Sequence, residues 1–534
     1  MRERFSEEYR HLGTFVIGLS SKKSVRGVGH YSRLRKKQRA FSRRDHVTKP
    51  HNLQVPSLVS APGKVLLAGG YLVLDPAYEG LVISTDARFY TYVRNGGHSP
   101  TEGKKKIVVR SLQFHQGMWK YHIEIKHGKV LLEHIPTEST NKFVETCVRF
   151  CLSVILEIIG AEKFLEKIAT GLDINIAGSN DFYSQNEQLR SRSLPITTAS
   201  LHKIPTFCHT GSTLGTVHKT GLGSSATLIT SLVAALFLHT GAVPALDERD
   251  DRTLVHNLAQ FVHCFAQGKV GSGFDVSAAV WGSHRYRRFD PKVLDRVMGD
   301  NVDPALLLQT VSPKNSAWDN VITPFRLPPR LTLMLADIDA GSHTPTLVSK
   351  LLGWRKAKPD EANALWAELG TANTKIEQTL NELDSLYVAD SFEYEDALSK
   401  CAVLQSSEWL ALSTSHPSSA PLRALTAAAS TFETIRSLIR RMSVLSDVPV
   451  EPVEQTRLLD ACLAVPGVVM AGVPGAGGFD AIFCVVLSAD AARGVERVWE
   501  DWREMSVSPL LAREDSVGAR VERVEDVAGL NMVI

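Results

Sequence analysis

The segment KTGLGSSATLITSLVAALFLHTG, residues 219–241, constrains the fold more than any other feature of the chain. Gly221 and Gly223 permit left-handed backbone and close approach, Ser224 or Ser225 can cap a helix, and the Leu, Ile, Val and Ala run that follows propagates one. A helix entered from such a turn leaves its first N–H groups unpaired at the positive end of its dipole. That is an anion site, and phosphate is the usual anion. The same residues also suit a tight turn with serine caps over a core helix, so distant segments have to decide.

A chain of 534 residues with 44% hydrophobic and 22% charged residues can bury large cores and form several domains. Apolar runs such as FCLSVILEIIG and LITSLVAALFL fall short of the roughly 18 residues a membrane span requires, so no spanning helix is expected. Seven scattered cysteines include no C-x-x-C pair. They read as buried reduced thiols, which points to the cytosol. Residues 1–50 hold 14 Lys or Arg against 4 Asp or Glu, an excess of ten in a chain of net charge +3, which leaves the remainder at −7. Residues 1–55 lack apolar periodicity and read as a disordered basic extension. As a solvated tail it calls for no nucleic-acid partner, and a nucleic-acid arm, a transit peptide and a membrane-surface patch are the alternatives.

From Ser57 the texture changes to short Val, Leu, Ile and Tyr runs broken by Gly, Pro and Asp, as strands require. KKKIVVRSLQF, MWKYHIEIKHG and GLDINIAGSNDFYSQ read as further strands, and TNKFVETCVRFCLSVILEII and DRTLVHNLAQFVHCFAQGKVG as helices. A second unit starts near Leu331 with strand RLTLMLADI. It runs through helical stretches to about residue 442 and closes with PGVVMAGVPGAGGFDAIFCVVLS, a strand, glycine turn and strand before an Ala/Arg-rich helix. The implied class is α+β, divided into 56–330 and 331–534.

GLGSSA preceded by Lys219 and Thr220 resembles the second signature of the kinase superfamily named for galactokinase, homoserine kinase, mevalonate kinase and phosphomevalonate kinase. Val217 replaces the usual proline. SAPGKVLLAGGYLVL is similar to the first signature and places Lys64 at a strand start; AGVPGAGGFDA is similar to the third. NDFYSQ, HNLAQFVHCFAQGKVGSGFDVSAAVWGS, WDNVITPFRLP and EPVEQTRLLDAC look like the eukaryotic phosphomevalonate kinase branch. The resemblance covers nearly everything after residue 56. It implies a ribosomal-protein-S5-domain-2-like unit and a ferredoxin-like unit with a cleft between them, and phosphorylation of 5-phosphomevalonate by ATP with Mg²⁺ on the route to isoprenoids and sterols. Mevalonate kinase, diphosphomevalonate decarboxylase and a non-catalytic ATP-binding sensor are the alternatives. Nothing in the pattern fixes an oligomeric state.

The resemblance also implies roles. Lys219, Thr220, Gly221, Leu222, Gly223, Ser224, Ser225 and Ala226 would hold the ATP phosphates, with a hydroxyl of Ser224 or Ser225 reaching Mg²⁺. Lys64 would stand by the acceptor and the γ-phosphate and keep Asp275 ionised, and Asp275 would orient the acceptor or take its proton. Asn180 and Phe182 are candidates for the adenine pocket. Tyr71, Lys269, Ser272, Ser342 and the turn Gly475, Gly477 and Gly478 are candidates for the substrate, with Thr344 beside Ser342. The helix before Asp275 carries no carboxylate where several superfamily members place a metal-binding Glu. His263 or Gln267 stands there instead.

Overall fold

The computed structural model describes residues 57–97, 105–338 and 344–534; the basic extension and Ser342 lie outside the described residues. Strands β1 (Ser57–Ala68), β2 (Glu79–Asn95), β3 (Lys105–Arg110), β4 (Met118–Lys126), β5 (Lys129–Ile135) and β6 (Leu172–Gly178) build most of a nine-stranded sheet. Its order is β13-β1-β2-β6-β3-β4-β5, where β13 is Arg520–Val521 from near the end of the chain. β7 (His284–Arg287) pairs with β2, and β8 (Val321–Pro324) with β7. Among the described residues only the β3–β6 pair is parallel.

Helix α1 (Lys142–Ile159) starts at Asn141, whose side chain accepts the N–H groups of Phe143 and Val144. Helix α2 (Ser224–Thr240) lies on β1 and β2 and is flanked by α1 and by α3 (Arg249–Gln267). Ile229, Leu232, Val233, Leu236 and Phe237 of α2 are fully buried. At roughly 1.5–3 kcal/mol for each large apolar side chain, this packing holds the helix in place whatever stands at its N-terminus. Helix α4 (Phe274–Trp281) follows and packs on β1.

The second sheet has the order β10-β11-β9-β12, built from β9 (Thr332–Ile338), β10 (Val468–Gly472), β11 (Ala481–Val486) and β12 (Val507–Leu510). Two long helices, α5 (Pro359–Ala389) and α6 (Ala420–Ser446), pack on each other, and α6 packs on β10. Leu333 and Leu335 of β9 share one apolar core with Val65 and Ile83 of the first sheet.

After β12 the chain returns to the first sheet. The buried Asp181 carboxylate accepts the N–H groups of Leu511 and Ala512 at 2.6 and 3.0 Å. Burial raises its pKa and these bonds oppose the shift. Arg88, 1% exposed, donates to Asp515 at 3.2 Å and to the Gly518 carbonyl at 2.5 Å. β13 then pairs with β1.

The long periodic elements lie where their patterns place them. β5, β7, β8, β12 and β13 were not legible, being short or paired across distant sequence. One expectation is corrected: Lys64 is the eighth residue of the 12-residue β1, well inside the strand. Pro62, which has no N–H, and Gly63 disguise the continuity of the strand by imposing a bulge.

Candidate active site

The bulge brings the first and second motifs together. The register of β1 on β2 slips between Pro62 and Lys64. A Cβ on Gly63 would come within 3.0–3.1 Å of Thr85 Oγ1, the Leu222 carbonyl and the Phe182 ring, so glycine is needed for the close approach. The Lys64 N–H then donates to the Leu222 carbonyl at 3.0 Å, and its ammonium to the Gly221 carbonyl at 2.6 Å.

Gly223 enters α2 at φ +82°. A Cβ there would lie 3.1 Å from Lys64 Cε and 3.8 Å from Asp275 Cβ, so turn, lysine and aspartate meet at one point. The entry to the turn is also pinned. The Thr220 hydroxyl donates to the Asp181 carbonyl, Lys219 bridges to Tyr183, and His218 Nε2 stands 3.2 Å from the Asp337 carboxylate of β9.

Asp275 is the second residue of α4, and its side chain is 22% exposed. Its loop is held by carbonyl acceptors: Gln260 donates to Gly273 at 2.6 Å, the Tyr286 hydroxyl to Ser272 at 2.9 Å, and Arg288 to Gly271 at 2.5 Å and Leu74 at 2.6 Å. The ammonium of Lys64 stands 5.4 Å from the centroid of the Phe274 ring. Burial lowers the Lys64 pKa, and the charges of Asp275 and Asp480 oppose the shift. The lysine stands in the field of two carboxylates while its ammonium is bonded to the Gly221 carbonyl.

Asp480 was not among the residues singled out from the sequence. It follows the third glycine turn directly, and its Cβ lies 4.0 Å from where a Cβ on Gly221 would be. The signal was present in the wording GGFDA, but glycines alone were read as its functional content. The third turn touches the end of β1: the Tyr71 hydroxyl donates to the Ala476 carbonyl at 2.7 Å, and the Gly475 N–H to the Leu66 carbonyl at 3.4 Å. Burial raises the Tyr71 pKa, so this donor stays protonated. Gly477 lies against the Val450 carbonyl, to which Gly478 donates at 2.9 Å.

The remaining candidates are held by contacts of their own. Asn180 donates to the Pro205 carbonyl at 2.7 Å and accepts the Cys208 N–H at 2.8 Å, bracing a loop. Phe182, 1% exposed, packs on Phe89 with ring centroids 4.7 Å apart and supports the bulge from below. Lys269 is exposed just beyond α3, and Ser272 engages Tyr286 through its carbonyl. Thr344 begins a helix.

Among the described residues no group of three or more His, Cys, Asp or Glu could hold a metal. A magnesium ion carried by a nucleotide needs only one or two protein oxygens. The Ser224 and Ser225 hydroxyls and the two carboxylates beside Lys64 are donors of that kind.

The profile described as "GHMP kinases N terminal domain" matches residues 203–283. The chain is 37% identical over 491 residues to the protein named "Phosphomevalonate kinase, peroxisomal" of Arabidopsis thaliana, covering 87% of this chain and 96% of that one. The chain belongs to the phosphomevalonate kinase family. It is also 34% identical to the phosphomevalonate kinase of Aspergillus fumigatus, over 88% of this chain and 98% of the relative. Among solved structures, Lin0012 of Listeria innocua aligns with a TM-score of 0.58 at 15% identity, over 88% of this chain and all of that one. The Streptococcus pneumoniae phosphomevalonate kinase, solved with phosphomevalonate and AMPPNP, aligns with a TM-score of 0.54 at 13% identity, over 86% and 99%. These likenesses establish the two-unit α+β kinase fold. No helix among the described residues is long and apolar enough to cross a membrane.

Proposed function

We propose that the chain transfers the γ-phosphoryl group of ATP to the phosphate of 5-phosphomevalonate, giving ADP and 5-diphosphomevalonate. One observation carries this reading: Gly223, Lys64 and Asp275 meet at a single point at the partly exposed N-terminus of a helix whose body is buried.

Phosphoryl transfer asks the protein to neutralise charge, align the acceptor oxygen and exclude water. The first N–H groups of α2, with Lys219, receive the ATP phosphates. Burial lowers the Lys219 pKa, and an incoming polyphosphate supplies the counter-charge that would restore it. Lys64 stabilises charge on the oxygens of the transferring group. The acceptor is a phosphate monoester whose second pKa is near 6, so its attacking oxygen has lost its proton at neutral pH. Asp275 therefore serves as an aligning group and a partner for Lys64, and proton removal is secondary. The Ser224 or Ser225 hydroxyl would meet a nucleotide-borne Mg²⁺, which would supply charge neutralisation at the phosphates.

Tyr71 and the third turn form the acceptor side in this reading. The boundary between an ATP-binding unit and a C-terminal unit is placed near residue 330, where the chain leaves β8 for β9. Seven unpaired buried cysteines favour a reducing compartment, and the reading places the enzyme in the cytosol.

Coupled assays with mevalonate, 5-phosphomevalonate and 5-diphosphomevalonate test the assignment, and turnover of mevalonate but not phosphomevalonate overturns it. Asp275→Asn is expected to lower kcat about 10²-fold through lost alignment while ATP still binds.

A further inference from the structure

Two unfavourable features on the acceptor side of Lys64 are joined by hydrogen bonds. Tyr71 is a non-glycine residue at φ +62°, a backbone state that persists only where its surroundings impose it. Arg288, directly after β7, is 7% exposed, yet its guanidinium forms no ion pair among the described residues. A cation is costly to bury without a counter-charge. Its partners are three carbonyls: Nη1 donates to Leu74 at 2.6 Å, and Nη2 to Val270 at 3.1 Å and Gly271 at 2.5 Å.

Those carbonyls belong to two segments far apart in sequence. Leu74 ends the one-turn helix Leu72–Leu74, its N–H donating to the Tyr71 carbonyl at 2.9 Å, and the Tyr71 hydroxyl carries the connection on to Ala476 of the third turn. Val270 and Gly271 open the loop that leads to Asp275. The Tyr286 hydroxyl and Gln260 take the next two carbonyls, those of Ser272 and Gly273, so four in succession are committed to side-chain donors. The loop cannot slide without breaking a bond at each of them. A planar guanidinium holds its nitrogens a fixed distance apart, which makes it a spacer between the segments as well as a donor.

We infer that Arg288 is a positioning residue for the acceptor: its fork sets the separation of the Tyr71 turn and the Asp275 loop, the two walls between which 5-phosphomevalonate would enter. The inference rests on the assignment of Tyr71 and Asp275 to the acceptor above. It gives a buried, unneutralised cation a reason to be arginine, since one side chain has to reach both segments at once.

Arg252 supplies the control. It too is bonded to carbonyls alone among the described residues, Nε to Leu246 at 2.8 Å and Nη1 to Val280 at 3.0 Å, the latter at the far end of α4 from Asp275. The test measures kcat/KM for 5-phosphomevalonate at saturating ATP, KM for ATP at saturating acceptor, and Tm, on the full chain. Arg288→Met keeps an unbranched stem and removes the fork. It is expected to lower acceptor kcat/KM about 10²-fold, the scale of a misplacement near 1 Å, and to leave KM for ATP within about threefold. Arg252→Met should lower Tm comparably and keep acceptor kcat/KM within about threefold. Arg288→Lys, whose single ammonium does not span both segments, should lose at least about tenfold in acceptor kcat/KM, and it decides the matter if Arg288→Met does not fold. Either Arg288 variant within threefold of the unaltered enzyme, equal losses toward ATP and acceptor, or an Arg252→Met variant that matches Arg288→Met overturns the inference. The ratios are taken on the acceptor that the unaltered chain turns over, so turnover of mevalonate in place of phosphomevalonate would overturn the reading above and still judge Arg288.

Discussion

Gly223→Ala isolates the point where lysine and aspartate meet. The backbone at Gly223 has φ +82°, and forcing a side chain into that region costs about 1–2 kcal/mol. Gly241, at the other end of the same helix, has φ +75° with nothing within 4 Å of an added Cβ, so Gly241→Ala carries the same strain without a collision. At Gly223 the new methyl would sit 3.1 Å from Lys64 Cε and 3.3 Å from Cγ. Carbon atoms settle at about 3.5–4.0 Å, so the lysine must yield by roughly half an ångström. Its backbone is tied to Leu222, so the side chain swings and loses its 2.6 Å bond to Gly221. Misplacements of about 1 Å can cost on the order of 10²-fold in rate, which is about 2.7 kcal/mol of barrier. A coupled ADP-release assay with saturating ATP and phosphomevalonate should show kcat reduced by about that factor in Gly223→Ala and by less than threefold in Gly241→Ala. Thermal unfolding should show both variants lowered by a similar few degrees. Equal kcat in the two variants at equal Tm would refute the claim that Lys64 and Asp275 act across this glycine.

Asp480→Asn removes one of the two charges that hold up the Lys64 pKa, so the alkaline limb of the kcat profile should move to lower pH; an unmoved limb would place Asp480 outside the lysine's field. Acid should destabilise the fold before the carboxylates protonate. His256 and His284 are fully buried and their pKa values are pushed down to about 4 from 6.5, so below pH 6.5 the unfolded chain binds protons that the folded one refuses. Stability is full above pH 6.5 and falls toward pH 4 by roughly 3 kcal/mol for each histidine. Urea unfolding at pH 7.5 and pH 5 checks this, and replacement of either histidine by Gln should flatten the dependence.

The glycine turn and its helix were legible because positive φ and an unbroken apolar run are local properties of residues 219–241. Asp275 was legible for the same reason, as an acid between a glycine run and small helix formers. Lys64 was legible as a candidate but misplaced at a strand start, because a bulge within a strand looks like a boundary in sequence. Asp480 was legible in the wording GGFDA but passed over. The bracing by Asp181 was not legible, because it joins residues hundreds of positions apart and no periodicity records which groups meet once the sheets close. Phe182 lies in a distinctive motif and packs on Phe89, within 3.1 Å of where a Cβ on Gly63 would stand, and no periodicity recorded either neighbour.

The return of the chain to Asp181, Arg88 and β1 bears on how the protein is made. Ribosomes release polypeptides from the N-terminus, so the lysine strand and the phosphate turn emerge hundreds of residues before the segment that buttresses them. Until residues 511–521 arrive, the Asp181 carboxylate lacks its two N–H donors and the outer edge of β1 is bare. Assembly of the nucleotide grip therefore waits on residues 511–521, and a chain interrupted before them should be triaged as unfolded instead of persisting as a partly active kinase.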